Sequence, residues 1–230
     1  MEAIGQRINV HPETRLTVPD NAPGTGRPAV FLDRDGTLIE EVHYLSDPAR
    51  LRLLPGAAGA VRALRAGGFA CVIVTNQSAI GRGMITEAQL HVIHDELNRQ
   101  LAAQGAAVDA IYFCPDAPSP ADDDPAQVMC SERKPGPGML LRAARELGLE
   151  LAASWSVGDM LRDLQAGHCA GCRGNILVCT GKGSTQVAAA ATSGVRHFVV
   201  ADLAAAAGVI LGNRGPAAIP PFPGTPAPAE

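Results

Sequence analysis

Short apolar runs recur along this chain with helical patterns between them, and no other feature restricts the fold as much. The runs are PAVFLD (28–33), FACVIVTN (69–76), VDAIYFCP (108–115), SWSVGD (154–159) and NILVCTG (175–181), with RHFVVADL (196–203) as a sixth candidate. Each is too short for a helix and apolar on both faces, which suits a strand buried in a parallel sheet. Between them lie PGAAGAVRALRAGG (55–68), TEAQLHVIHDELNRQLAAQG (86–105), PGPGMLLRAARELGL (135–149) and MLRDLQAGHCAG (160–171), all with helical spacing. Thr86 is the candidate N-cap of the second of these. Strands alternating with helices imply right-handed crossovers, so the expected fold is α/β. It is a three-layer, Rossmann-like parallel sheet with helices on both faces.

Outside residues 28–212 the pattern stops. Residues 1–27 carry no periodicity and end in NAPGTGR, a loop-like lead. Residues 213–230 are rich in proline and are expected to be a disordered tail. The stretch 114–138 contains six prolines and no periodicity, long for a plain connection and so expected to be functional or metal-organised.

Composition narrows the partners. Hydrophobic residues make up 47% and charged residues 18%, the balance of a globular protein, and the formal net charge is −4. Without a basic run, nucleic acid is not the expected partner. The first thirty residues have no apolar h-region and no stretch reaches the length of a membrane span, so a cytoplasmic monomer without a membrane partner is expected. In that setting the six cysteines read as thiols or metal ligands rather than disulfides. Cys169 and Cys172 form a C-x-x-C, but near a helix end they read as small core thiols. His91 and His94, on the 86–104 helix, read as surface or structural.

The chemistry gathers where the apolar runs end. Ligands in parallel sheets bind at the C-terminal ends of strands. There the chain places Asp33 and Asp35 after the first run, Thr75 and Asn76 at the end of the second, and Asp159 after the fourth. Asp33, Asp35 and Asp159 would meet at one rim, where their charges need a positive partner; hard oxygen donors suit Mg²⁺. Lys134, just before a helix, would place an ammonium on a phosphoryl group, and the Thr75 hydroxyl would donate to another oxygen. The metal would also neutralise a phosphate and let an anionic carboxylate attack its phosphorus.

The motifs DRDGT, VTNQS, RKPGPGM and VGDMLRD resemble the four motifs of the haloacid dehalogenase-like phosphohydrolases. Over residues 28–183 the resemblance is closest to the heptose 1,7-bisphosphate 7-phosphatase branch, whose nearest relatives are histidinol-phosphate phosphatases. VTNQSAIGRGMITEAQ and CSERKPGPGMLLRAARELGL are the stretches that place it there. The resemblance implies a Mg²⁺-dependent hydrolase that takes a small phosphorylated sugar and works through an aspartyl-phosphate. Its product would feed nucleotide-activated heptose for the cell envelope. Asp33 would be the nucleophile and Asp35 the general acid and base, while Thr75 and Lys134 would hold the transferring group. Asp33, the Asp35 backbone carbonyl and Asp159 would hold Mg²⁺. Arg34, Glu41, Tyr44, Asn76, Gln77, Ser78 and Arg133 would contact substrate, and Asp163 would act from behind the ligands. With about forty residues between the first two motifs there is no room for a large cap domain.

The sequence departs from the branch in two places. The residue after the metal-binding aspartate is often a lysine that touches substrate, and here it is Met160. A zinc loop of the pattern C-x-H…C-x-C is common, and here the positions read Cys114, Asp116, Cys130 and Glu132. Two carboxylates in place of a His and a Cys disfavour a tight structural Zn²⁺, since such sites are built mainly from sulfur and nitrogen. Histidinol phosphate or another sugar phosphate is the alternative substrate, and an inactive sugar-phosphate-binding protein the alternative class.

Overall fold

The computed structural model describes residues 7–8, 26–119 and 131–213. The strands are β1 (Arg7–Ile8), β2 (Ala29–Leu32), β3 (Ala70–Asn76), β4 (Ala110–Cys114), β5 (Trp155–Gly158), β6 (Gly174–Val178) and β7 (Phe198–Val200). They form one sheet in the order β1-β4-β3-β2-β5-β6-β7. Strands β2 to β7 are parallel, and β1 alone is antiparallel, pairing with β4 through Arg7 and Tyr112. That pairing corrects the expectation of a loop-like lead: two residues of it close the sheet edge beside β4. The 213–230 tail lies outside the described residues beyond Asn213.

The helices are α1 (Ala57–Ala66), α2 (Ser78–Gly81), α3 (Glu87–Ala103), α4 (Gly138–Leu147), α5 (Leu161–Cys169), α6 (Gly183–Thr192) and α7 (Leu203–Gly212). Local chemistry sets several of their ends. Thr86 and Gln89 form a reciprocal capping box at the start of α3, Asp202 accepts from Ala205 N–H at the start of α7, and Gly148 closes α4 in a left-handed conformation.

Because side chains alternate across a strand, each strand feeds two cores. On one face Val30, Leu32, Ile73, Val157 and Val178 pack against α1, α3 and α7. On the other, Phe31, Val72, Val74 and Tyr112 pack against α4 and α5. Leu177 meets Leu164 of α5 and Ala190 of α6 in a smaller cluster on that face. The result is the expected three-layer sandwich, in which each fully buried Leu, Ile, Val or Phe contributes roughly 1.5–3 kcal/mol. Of the C-x-x-C pair, Cys172 packs against the second core as expected, while Cys169 is half-buried outside it.

From β2 the chain winds outward through β3 to β4, then returns to the other side of β2 as β5. The reversal leaves a crevice at the C-terminal ends of β2 and β5, where such sheets receive ligands. Between β2 and β3 the helical elements are a 3₁₀ turn (Pro48–Arg50) and α1, and among the described residues no large cap covers the crevice.

Candidate active site

The end of β2 sets the first carboxylate. Asp33 N–H donates to Val157 O of β5 at 2.9 Å, which holds its backbone in strand register while the side chain enters the crevice. Gly36 then turns the chain with a φ of 78°. A Cβ there would strike Asp159 Oδ2, and one on Gly181, φ 55°, would strike the same oxygen and Gly36 Cα. Two loops thus close over the Asp159 carboxylate because neither carries a side chain. Lys182 N–H donates to Asp159 Oδ2 at 2.8 Å, and Thr180 Oγ1 donates to Gly36 O at 2.6 Å.

Three carboxylates converge. Oxygens of Asp33, Asp159 and Asp163 lie within 4.8 Å of one another, all buried. Lys134 Nζ sits among them, 3.0 Å from Asp33 Oδ1 and 2.6 Å from Asp163 Oδ1, and donates to Val74 O at 2.8 Å. Burial opposes the Lys134 charge, but Asp163 and Asp33 outweigh it and hold the ammonium above its usual pKa. Burial pushes the Asp159 carboxyl up to about 7, with the neighbouring charges of Asp33 and Asp163 adding to the effect and Lys182 N–H opposing it. Three carboxylates meet the Lys134 ammonium and feel the Arg162 guanidinium as well, so carboxylates still outnumber cations and the buried cluster keeps a negative excess. That charge, presented by hard oxygen donors, is what a Mg²⁺ ion would neutralise, so the donor set fits one.

Asp163, expected to act from behind the ligands, is ion-paired to Lys134. Its Oδ2 accepts from Met160 N–H at 2.9 Å, which ties the start of α5 to the same carboxylate. The spacing G-D-x-x-x-D was visible in the sequence, but the ion pair was not.

Asp35 is held from behind. Arg34 donates to its Oδ2 through Nε and to its Oδ1 through Nη2, both at 3.0 Å. Gln77 Nε2 donates to Asp35 Oδ2 at 3.1 Å and to Thr75 Oγ1 at 2.8 Å, and Gln77 Oε1 accepts from Arg34 Nη2. The Arg34 side chain is 1% exposed and that of Asp35 20%, so Asp35 reaches the opening while Arg34 braces it. Asn76 has a bracing contact too: its side chain accepts from Lys134 N–H and donates to Lys134 O, fixing the backbone that carries the ammonium.

The opening is a cleft of about 210 Å³ whose wall includes Asp33, Asp35, Thr75, Ser78, Arg133 and Arg162. Glu41 and Lys182 stand at its edge 3.8 Å apart. Tyr44 takes a left-handed backbone, φ 51°, and its ring lies under the Arg82 guanidinium. Arg133 Nη1 donates to Asp116 O at 2.8 Å. Met160 is not among the described residues that line the cleft. Arg162, two positions on, is, and its Nε is buried without a hydrogen-bond partner among the described residues. Arg162 stands within the VGDMLRD stretch, but only the aspartates of that stretch were given roles from the sequence. His94, read from the sequence as surface or structural, is buried against Arg34 in the helical stripe of Leu90, Leu97 and Leu101.

Of the four positions weighed for zinc, Cys130 lies outside the described residues. Cys114 Sγ donates to Asp116 Oδ2 at 3.5 Å, and burial pushes its thiol up to about 12. Glu132 is 3.3 Å from Arg142 Nη2.

The chain is similar to several known proteins. A family model described as HAD-hydrolase-like matches residues 131–206. The D-glycero-β-D-manno-heptose-1,7-bisphosphate 7-phosphatase of Yersinia pestis is 42% identical over 176 residues, covering 76% of this chain and 93% of its own. The enzyme of that name from Escherichia coli K12 is also 42% identical, over 76% of this chain and 91% of its own. The D,D-heptose 1,7-bisphosphate phosphatase of B. bronchiseptica, solved with magnesium and phosphate, superposes with a TM-score of 0.70 at 39% identity. It covers 80% of this chain and 98% of that one. The fold and relatives define a phosphatase of the haloacid dehalogenase-like class. Within that class, the chain belongs to the D-glycero-D-manno-heptose-1,7-bisphosphate 7-phosphatase family.

Proposed function

We propose that this enzyme removes the 7-phosphate of D-glycero-β-D-manno-heptose 1,7-bisphosphate in a Mg²⁺-dependent reaction, in the supply of activated heptose. The observation that carries this reading is the buried meeting of Asp33, Asp159 and Asp163 around Lys134, beside an open cleft that Asp33 lines. The β anomer follows the substrate in the names of the relatives.

Mg²⁺, held by the Asp33 and Asp159 carboxylates and the Asp35 backbone carbonyl, would offset the charge of those carboxylates and of the incoming phosphate. Lys134 pairs with Asp33 Oδ1 and holds the nucleophile in place. An Asp33 oxygen bonds to phosphorus as the phosphorus–sugar oxygen bond breaks, and Asp35 gives its proton to the departing alkoxide. Asp35 then takes a proton from water as that water attacks the aspartyl-phosphate, releasing inorganic phosphate and restoring Asp33. The Thr75 hydroxyl donates to a phosphoryl oxygen, while Lys134, whose donors are taken by Asp33, Asp163 and Val74 O, acts on the phosphoryl charge from behind the nucleophile. Arg133, Arg162 and Lys182, all lining the cleft, supply positive charge for the phosphate that stays at C1. Arg162 provides at the wall a cation that Met160 does not. Arg34, expected among the substrate contacts, instead braces Asp35, because its guanidinium is occupied by protein groups.

The test is phosphate release from both anomers of the heptose bisphosphate, histidinol phosphate and fructose 1,6-bisphosphate, with Mg²⁺ and with EDTA. A preference for the β-heptose substrate that EDTA removes is expected. Turnover favouring histidinol phosphate would keep the chemistry and move the substrate. No turnover of any phosphomonoester would sink the reading.

A further inference from the structure

Behind the cleft lies a contact that none of the proposed steps uses. Arg34 Nη1 is 3.1 Å from Nε2 of His94, a residue of α3 sixty positions away, and both side chains are buried. A guanidinium has only donors, so Nε2 must accept, and the ring proton then sits on Nδ1. Nδ1 is buried with no partner among the described residues. Burial first, then the charges of Arg34 and His91, hold the His94 pKa well below its ordinary value, so the ring is neutral. The Phe113 ring lies beside it, centroids 6.1 Å apart.

His94 continues the stripe of Leu90, Leu97 and Leu101, and as a packing residue it would be better replaced by another leucine. A leucine would leave no unpaired N–H, but it could not accept from Arg34. We propose that His94 is a positioning residue: its Nε2 fixes the Arg34 guanidinium, which in turn sets the Asp35 carboxylate and the Gln77 amide at the cleft. The inference rests on the role proposed for Asp35. It extends the site into α3, through the chain His94–Arg34–Asp35, all at hydrogen-bond distance.

The consequence is specific to the leaving group. An alkoxide needs the proton that Asp35 carries, whereas p-nitrophenolate leaves without one. Loosening Asp35 should therefore slow an alkyl phosphate more than p-nitrophenyl phosphate, a difference that a general loss of structure would not produce.

The experiment uses the full chain in three measurements. Nitrogen-15 NMR of the wild-type histidine rings should show His94 neutral with its proton on Nδ1. A proton on Nε2, or an imidazolium at pH 7, overturns the proposal, and this measurement needs no variant. Next, kcat is compared for H94L and H94Q on a primary alkyl phosphate and on p-nitrophenyl phosphate. For H94L a fall of about 10-fold is expected on the first with KM unchanged, and a fall of about threefold or less on the second. H94Q, whose amide oxygen can accept, should recover at least half of the loss. Equal falls on both substrates, no fall, or a glutamine variant as slow as the leucine variant overturns the proposal. If the wild type hydrolyses no phosphomonoester, the functional reading fails separately. A crystal structure of a folded His94 variant then decides: Asp35 unmoved on Arg34 and Gln77 in H94L counts against the proposal, and Asp35 displaced supports it.

Discussion

Lys134 Nζ and Asp163 Oδ1 meet at 2.6 Å with their side chains 1% and 2% exposed, so the cation of the site is anchored by a carboxylate from α5 as well as by Asp33. Removing one partner of such a pair strands a buried charge, which costs about 3–5 kcal/mol. Lys134→Ala leaves the three carboxylates facing one another, and Mg²⁺ is expected to recover part of the lost stability. Thermal unfolding with and without Mg²⁺ measures both effects; a variant as stable as wild type in EDTA would refute the anchoring role.

Asp33→Asn keeps the shape and the backbone bond to Val157 O but removes the attacking charge. Turnover should fall by at least ~10³-fold, the scale seen when a covalent nucleophile is removed. Most of the activity surviving would mean that no bond forms to Asp33.

Asp159 carries the expected pH dependence. Its folded pKa of about 7 lies above the ordinary 3.8, so between those values the folded state binds more protons than the unfolded chain. In EDTA, stability from this group is full below the lower value and is lost as pH rises through about 7. Mg²⁺ competes with that proton, so its stabilising effect should be larger at pH 8 than at pH 6. Melting temperatures at the two pH values, with and without Mg²⁺, check this; an equal Mg²⁺ shift at both would exclude Asp159 as the titrating ligand.

Gly181→Ala introduces a Cβ against Asp159 Oδ2 and against Gly36 Cα, at a residue whose φ is 55°. The left-handed backbone alone costs roughly 1–2 kcal/mol. Displacement of the carboxylate should add a marked loss of Mg²⁺ affinity, read by calorimetry. Unchanged affinity would show that the loop yields instead of Asp159.

Arg162→Ala should raise KM for a bisphosphate about tenfold, the equivalent of ~1.4 kcal/mol. KM for a monophosphate should change little, because the guanidinium is assigned to the retained phosphate. Equal changes for both substrates would place Arg162 on the transferring group.

How far the site was legible depends on which forces placed each residue. Asp33 and Asp159 were readable because each follows an apolar run, and a buried parallel strand delivers its next residue to the sheet's C-terminal edge. Lys134 was readable from its motif, but its bond to Val74 O and its pairing with Asp163 join three separate segments. Arg34 looked like a substrate contact because it stands between two reactive aspartates. Its guanidinium meets His94 of α3 and Gln77, partners from separate segments that no local pattern around residue 34 records.

The order of residues along the chain was enough to set the alternation of strand and helix, and with it the layers, the parallel sheet and the edge at which the carboxylates gather. These features come from backbone hydrogen bonding and side-chain periodicity, which act over a few residues. Which charges pair, that Arg34 faces inward, and that Gly36 and Gly181 close over Asp159 emerged only with the folded arrangement. The difference is one of range. Hydrophobic patterning is written in neighbouring residues, whereas ion pairs and close backbone approaches arise between segments that meet only when the sheet has formed.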